Sequence, residues 1–228
     1  MNATEWRNKM AYKEKVVIGD CTLYLGDFAD MIGEWNDDAT IITDPPYGIG
    51  YKSPAGRGKT ARGDYDVIDG DDKPFDPEPF LRFRETILFG ANHYADKLPA
   101  SAKWLVWDKR CGMTPNNNSD CEMAWCMHGG SARMFRHLWN GMLKDSEKDE
   151  RRVHPTQKPV ALMQWVITQC EKPVDLIIDP FMGSGSTIIA AQKSGVPAVG
   201  VEINEKYFAE CVRRLEDVHA QPDMFLEL

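Results

Sequence analysis

Residues 174 to 203 limit the possible folds more than any other stretch. VDLIID reads as a buried strand, DPFMGSGS as a turn carrying Gly183 and Gly185, STIIAAQKSG as a helix closed by Gly195, and PAVGVEI as a second strand. Two strands joined through a helix pair in parallel, because only a long crossover returns the chain to the same end of a sheet. Both are near-continuous runs of apolar residues, the pattern of strands covered on both faces. Other segments supply more of the same. KVVIGDCTLYLGD (15–27) predicts two short strands about a Gly-Asp turn, and FADMIGEW spaces Phe28, Met31, Ile32 and Trp35 along one helical face. ATIIT is a buried strand ending at Asp44, and ETILFG and KWLVWD are further strands. DCEMAWCM and SARMFRHLW predict a hairpin across His-Gly-Gly, and residues 141–153 a charged, exposed connection. PVALMQWVITQC predicts an amphipathic helix opened by Pro159, and Asn204 caps a last helix with Tyr207, Cys211, Leu215 and Val218 on one face. The alternation predicts an α/β fold with a doubly wound, mostly parallel sheet, and 228 residues suit a single domain over 1–228.

Composition excludes several classes. Hydrophobic residues at 43% and charged ones at 27% are ordinary globular values. No run of about 18 apolar residues occurs, so no membrane partner is expected. MNATEWRNKMAYKEK lacks the apolar stretch of a secretory leader, and the six scattered cysteines read as reduced thiols, which together give a cytoplasmic expectation. A net charge of −8 argues against unspecific coating of nucleic acid, but a local basic groove still acts within roughly 8–10 Å. Cys111, Cys121, Cys126 and His128 lack metal-ligand spacing, so no metal is expected. Trp104, Trp107 and Trp125 are assigned to the core. His93 and His137 have no nucleophile near them in sequence and are assigned no role.

The glycine turn invites comparison with a dinucleotide fold, and the comparison fails. G-x-G-x-x-G needs a third glycine where Ile188 stands, and no phosphate-cradling G-x-x-x-x-G-K motif is present. The ligand expected at this strand end lacks a pyrophosphate yet carries an adenosine-like body. Glu202 closes the next strand 17 residues after Gly185 and can accept hydrogen bonds from two ribose hydroxyls. S-adenosylmethionine meets these demands. A tight turn without ligand is the plain alternative, and the joint presence of Asp179, Phe181 and Glu202 counts against it.

IITDPPYGIG (41–50) is the second anchor. Asp44 offers an anionic acceptor. Pro45 and Pro46 stiffen the turn, Pro45 keeping a carbonyl but no N–H, and Tyr47 presents a flat face. Together they suit a planar group bearing NH2. Two acceptors, the Asp44 carboxylate and the Pro45 carbonyl, would draw the amine toward pyramidal geometry and free its lone pair for attack on a sulfonium methyl. A base inside a duplex reaches such a slot only when flipped out, at a cost of about a few kcal/mol.

On DPPY, DPFMGSGS, HPTQKP (154–159) and LYLGDF (23–28), the chain resembles the DNA amino-methyltransferases that modify adenine N6 or cytosine N4. The catalytic motif precedes the cofactor motif, which resembles the circularly permuted beta group. The resemblance implies a Rossmann-like, seven-stranded sheet with one reversed strand. It implies catalysis by Asp44, Pro45, Pro46 and Tyr47, and conversion of S-adenosylmethionine to S-adenosylhomocysteine on double-stranded DNA. It implies cofactor contacts from Asp27, Phe28, Asp44, Thr156, Lys158, Asp179, Phe181, Gly183, Ser184, Gly185, Ser186, Thr187 and Glu202, with Thr156 and Lys158 near the methionine end. Phe28 departs from the pattern, since cysteine or alanine is more usual there. DPPY favours adenine. Cytosine N4, RNA or protein glutamine as substrate, and a catalytically silent binding module are the rivals. Where such enzymes often carry a target-recognition insert, this chain has only the short connection 139–153. DNA contacts are therefore expected from the 48–79 loop, with Lys52, Arg57, Lys59 and Arg62, and from Arg133, Arg136, Arg151 and Arg152. A homodimer, one subunit helping the other hold DNA, is a candidate arrangement.

Overall fold

The computed structural model describes residues 11–50, 69–114, 119–140, 143–150, 152–171 and 173–220. Nine of the described strands form one sheet. β1 (Glu14–Ile18) and β2 (Cys21–Leu25) make an antiparallel hairpin. β3 (Thr40–Thr43), β4 (Glu85–Phe89), β5 (Trp104–Asp108), β6 (Cys121–Cys126) and β7 (Arg133–Arg136) follow. β10 (Ile177–Asp179) and β11 (Ala198–Glu202) complete it, in the order β1-β2-β11-β10-β3-β4-β6-β5-β7. β8 (Trp139–Asn140) and β9 (Leu143–Lys144) form a separate ribbon. The expected seven strands are the inner run from β2 to β5, in which β6 is antiparallel to both neighbours. β1 and β7 extend that run at its two edges.

The alternation of side chains along each strand divides the core. Ile42, Ile87, Phe89, Leu105 and Trp107 pack with α1 (Val160–Thr168), α2 (Ser186–Lys193) and α3 (Glu205–His219). Their chain neighbours Ile41 and Leu88 point to the opposite face, where Phe75, Phe80, Phe83 and Tyr94 pack with Trp125 and Ile178. Burial on both faces explains the unbroken apolar reading of these strands. Asn204 caps α3 as expected, its side chain accepting from the Lys206 and Tyr207 N–H groups. No described helix is long and apolar enough to cross a membrane.

Three local expectations need correction. Residues 28 to 34 form two 3-10 turns, Phe28–Asp30 and Ile32–Glu34, rather than one α-helix. The Asp27 carboxylate accepts from Ala29 N at 2.9 Å and tightens the first of them. The segments either side of His-Gly-Gly do not pair as a hairpin. β6 runs antiparallel and β7 parallel to β5, one on each side of it, and Gly129 has φ 104 where the chain turns away. The connection after β7 is not merely exposed, because the Glu147 carboxylate turns inward and meets buried Arg214 at 3.0 Å.

Candidate active site

β3 and β10 are parallel neighbours, with Thr40 opposite Ile177 and Ile41 opposite Ile178. β10 crosses over to β11 on one side and β3 to β4 on the other, so the chain leaves their carboxyl ends in opposite directions. A crevice opens at such a switch point. Here it is a cavity of about 490 Å³, lined by both the Asp44–Tyr47 turn and the glycine turn.

On the glycine side, the Asp179 carboxylate accepts from Thr43 Oγ1 at 2.6 Å and Phe181 N at 3.1 Å. Burial pushes its carboxyl up to about 6 against those bonds. The Glu202 carboxylate accepts from Gly183 N at 2.9 Å and Asn204 N at 2.8 Å, and burial pushes it up to about 7. Each Glu202 oxygen accepts one of these bonds and keeps a lone pair for a further donor. Gly183 needs its glycine for φ 51. Gly185 has a different reason. A Cβ there would lie 2.3 Å from Cys211 Sγ, so that glycine admits α3 rather than a ligand, and it is not among the cavity-lining residues.

The cavity suits S-adenosylmethionine. Phe28 and Phe181, ring centroids 4.7 Å apart, supply an apolar wall. Asp27, Asp44, Asp69, Asp71, Asp76, Asp179 and Glu202 line the same space, against Lys73 and Lys158. Such a charge balance favours a ligand that carries a positive charge and disfavours a pyrophosphate. Ser184, Ser186 and Thr187 line it too, and Ser186 Oγ donates to the Lys158 carbonyl at 2.7 Å, fastening HPTQKP to α2.

On the other side, Tyr47 Oη donates to Asp44 Oδ1 and Lys158 Nζ donates to Oδ2. Burial raises the Asp44 carboxyl above its ordinary range, and Lys158 opposes that rise. Lys158 itself is only 4% exposed, and although burial disfavours its charge, Asp44 and Glu122 hold it above its usual value. The lysine expected near the methionine end thus forms an ion pair with the Asp44 carboxylate, while still lining the cavity. Gly90, at φ 65, lets the Tyr47 ring come so close that a Cβ would lie 1.9 Å from its Cε1. Thr156 lines the cavity, and its N–H and hydroxyl meet His154 Nδ1 at 3.3 and 3.1 Å. Burial, with Lys158 and Arg152 nearby, drives His154 down to about 3, so its imidazole is neutral.

Sequence reasoning missed two side chains here. Glu122 meets Lys158 at 3.3 Å, and its signal was an acid amid apolar residues in a central strand. His93 stacks on Tyr47, centroids 5.0 Å apart and planes 15° from parallel, and the position three residues beyond a strand-ending glycine was its only cue. The expected DNA contacts are less gathered. Lys52, Arg57, Lys59, Arg62 and Arg151 lie outside the described residues. Arg133 and Arg136 are exposed on edge strand β7, Arg136 within 3.7 Å of Asp108. Arg152 lies over the Trp139 ring at 5.7 Å. None of these three lines the cavity.

Fold and site define the class: a Rossmann-like methyltransferase domain. The fold is similar to that of the M1.HpyAVI–SAM complex, with a TM-score of 0.56 at 23% identity, covering 86% of this chain and 98% of that one. It is also similar to the PvuII DNA methyltransferase (cytosine-N4-specific), with a TM-score of 0.59 at 13% identity, covering 91% and 95%. Residues 92–213, just over half of the chain, match the family described as DNA methylase, and the chain belongs to that family. It is 30% identical over 124 residues to the type II methyltransferase M.HinfI of Haemophilus influenzae, covering 52% of this chain and 34% of the relative. Against the DNA adenine methyltransferase YhdJ of Escherichia coli (strain K12), identity is 44% over 68 residues, 30% of this chain and 23% of the relative. The matched segments thus span about a third or less of these curated relatives.

Proposed function

We propose that this chain methylates the N6 amino group of adenine in double-stranded DNA, using S-adenosylmethionine. The observation that carries the proposal is convergence: Asp44 and the glycine turn, more than a hundred residues apart in sequence, line one cavity. When bound, the cofactor supplies a methyl group on a sulfonium, and one proton leaves the acceptor amine for each methyl transferred. The chain's own residues do the rest. Tyr47 Oη and Lys158 Nζ each fix one Asp44 oxygen and leave lone pairs that can accept an amine N–H. Pro45, lacking an N–H, adds only an acceptor to this edge of the cavity. The Tyr47 ring lines the cavity, and His93, which does not, backs the ring and stiffens it as a stacking surface. A planar base turned out of the duplex would stack there, offsetting part of the cost of unpairing.

DPPY and the similarity to the DNA adenine methyltransferase YhdJ support adenine. The PvuII enzyme keeps cytosine N4 as the rival. The expected setting is bacterial or phage-infected cytoplasm, in a restriction–modification context. A single domain over 1–228 that pairs with a second copy to hold DNA accords with the short 139–153 connection. Incubation with labelled cofactor and mixed-sequence duplex, then mass spectrometry of the nucleosides, should yield N6-methyladenine. A dominant N4-methylcytosine product would replace the base assignment. The absence of any methylated base would remove the function.

A further inference from the structure

Four charges of alternating sign run from the surface into the site. Lys109 Nζ meets Glu122 Oε1 at 3.0 Å, Glu122 Oε2 meets Lys158 Nζ at 3.3 Å, and Lys158 meets Asp44. The topology explains the row. β4 lies between β3, which leads to Asp44, and reversed β6, which carries Glu122. The Lys158 ammonium sits above the end of β4, 4.7 Å from the Phe89 ring centroid, within reach of a carboxylate on either side. A lysine 4% exposed has little water to share its charge, so its two anionic partners compete for it directly.

We propose that Glu122 is a positioning residue for the reaction: by sharing Lys158 with Asp44, it loosens the lysine's hold and leaves the Asp44 carboxylate able to accept the amine N–H. This rests on the methyltransferase reading above. The balance of the step is simple. The amine nitrogen bonds the methyl carbon, the C–S electron pair stays with sulfur, and the amine proton passes to Asp44 and then to water. A carboxylate clamped by an undivided ammonium accepts that hydrogen poorly, and one with no cation beside it protonates before the substrate arrives. Glu122 sets the point between these extremes. It lies among the charges that raise the Asp44 carboxyl, and Lys158 and Lys109 hold Glu122 itself below its ordinary range despite its burial. The groups facing Asp44 are Lys158 of the HPTQKP segment, Tyr47 of its own turn, Glu122 of β6, Asp179 of β10 and Tyr94 beyond β4. His154 faces Lys158 and is neutral.

The two ends of the row should act oppositely. Glu122→Gln hands Lys158 to Asp44 alone and should move the acidic limb of the kcat/KM profile down by roughly one pH unit, with kcat reduced and the cofactor KM little changed. Lys109→Met strengthens Glu122's claim on Lys158 and should move the limb up. The same opposite shifts should appear in a carbon-13 NMR titration of the Asp44 carboxylate in protein without DNA or cofactor, the signal assigned with Asp44→Asn. Shifts in the same direction, or no shifts in folded variants, overturn the proposal. If Glu122→Gln does not fold, the Lys109→Met titration decides alone, and an unmoved or lowered Asp44 signal overturns it. A wild-type protein that shows the NMR shifts but methylates nothing would sink the functional reading and leave the charge sharing intact.

Discussion

Glu202 keeps its proton to about pH 7 in the folded chain, because burial outweighs the two backbone N–H groups that favour its ionised form. Its pKa is raised on folding. Its contribution to stability is therefore full below the ordinary glutamate value and is lost as pH rises through about 7. Asp179 follows the same sign up to about 6. Thermal unfolding of ligand-free protein should show Tm falling from pH 5 to pH 8, with a shallower slope in Glu202→Gln. A cationic ligand whose ribose hydroxyls donate to the carboxylate favours the ionised form. Affinity for S-adenosylmethionine, measured by calorimetry, should accordingly rise across pH 7 in the wild type and stay flat in the variant. Tyr47 carries two duties where its sequence suggests only stacking. Its hydroxyl is bonded to Asp44, so Tyr47→Phe keeps the ring and frees a carboxylate oxygen. The expected loss in kcat is about tenfold, the rate equivalent of one charge-assisted hydrogen bond of roughly 1.5 kcal/mol. Tyr47→Ala should lose more, and 2-aminopurine fluorescence would show whether the flipped base is affected in the alanine variant alone. Asp44, Tyr47, Asp179 and Glu202 were legible because each ends a strand or opens a turn within a compact motif. Glu122 and His93 were not, because their roles exist only once separate strands are laid side by side.

Secondary-structure elements show the same division. The β10–α2–β11 unit was legible throughout, since its strand, turn and helix signals agree locally. The supposed hairpin was not. β6 and β7 each satisfy their ladder bonds on β5, a choice made by partners distant in sequence. The 28–34 segment carries a helical spacing but is too short for a stable α-helix, and the Asp27 cap settles it as 3-10 turns. At Gly185 the element scale supplies a sharp test. Its φ of 81 and the nearness of Cys211 both oppose a side chain. Gly185→Ala should lower stability by about 1–3 kcal/mol in chemical denaturation, through overpacking where α2 begins against α3. Gly185→Ala with Cys211→Ala should recover part of that loss, the remainder being backbone strain. Equal losses in the single and double variants would show that packing against α3 is not the reason for this glycine.

At the scale of the whole molecule, the doubly wound class was legible from apolar strands alternating with helices, but the strand order was not, because order depends on which edges meet. Arg214 of α3 shows how far such meetings reach. It donates to the Ser184 carbonyl at 2.6 Å and pairs with Glu147 at 3.0 Å, tying the glycine turn to the short 139–153 connection. The central pair of the sheet joins the two ends of the sequence. β3 pairs with β10, and β2 with β11, although β4 through β9 intervene along the chain. On the ribosome, the β1–β2 hairpin and the block from β3 to β7 therefore emerge as two separate pieces, each with an apolar strand edge awaiting a partner not yet synthesised. β10 and β11, translated after both pieces, zip them together. The nascent polypeptide accordingly depends on slow, long-range closure, and premature release would leave sticky β-edges available to chaperones or to aggregation.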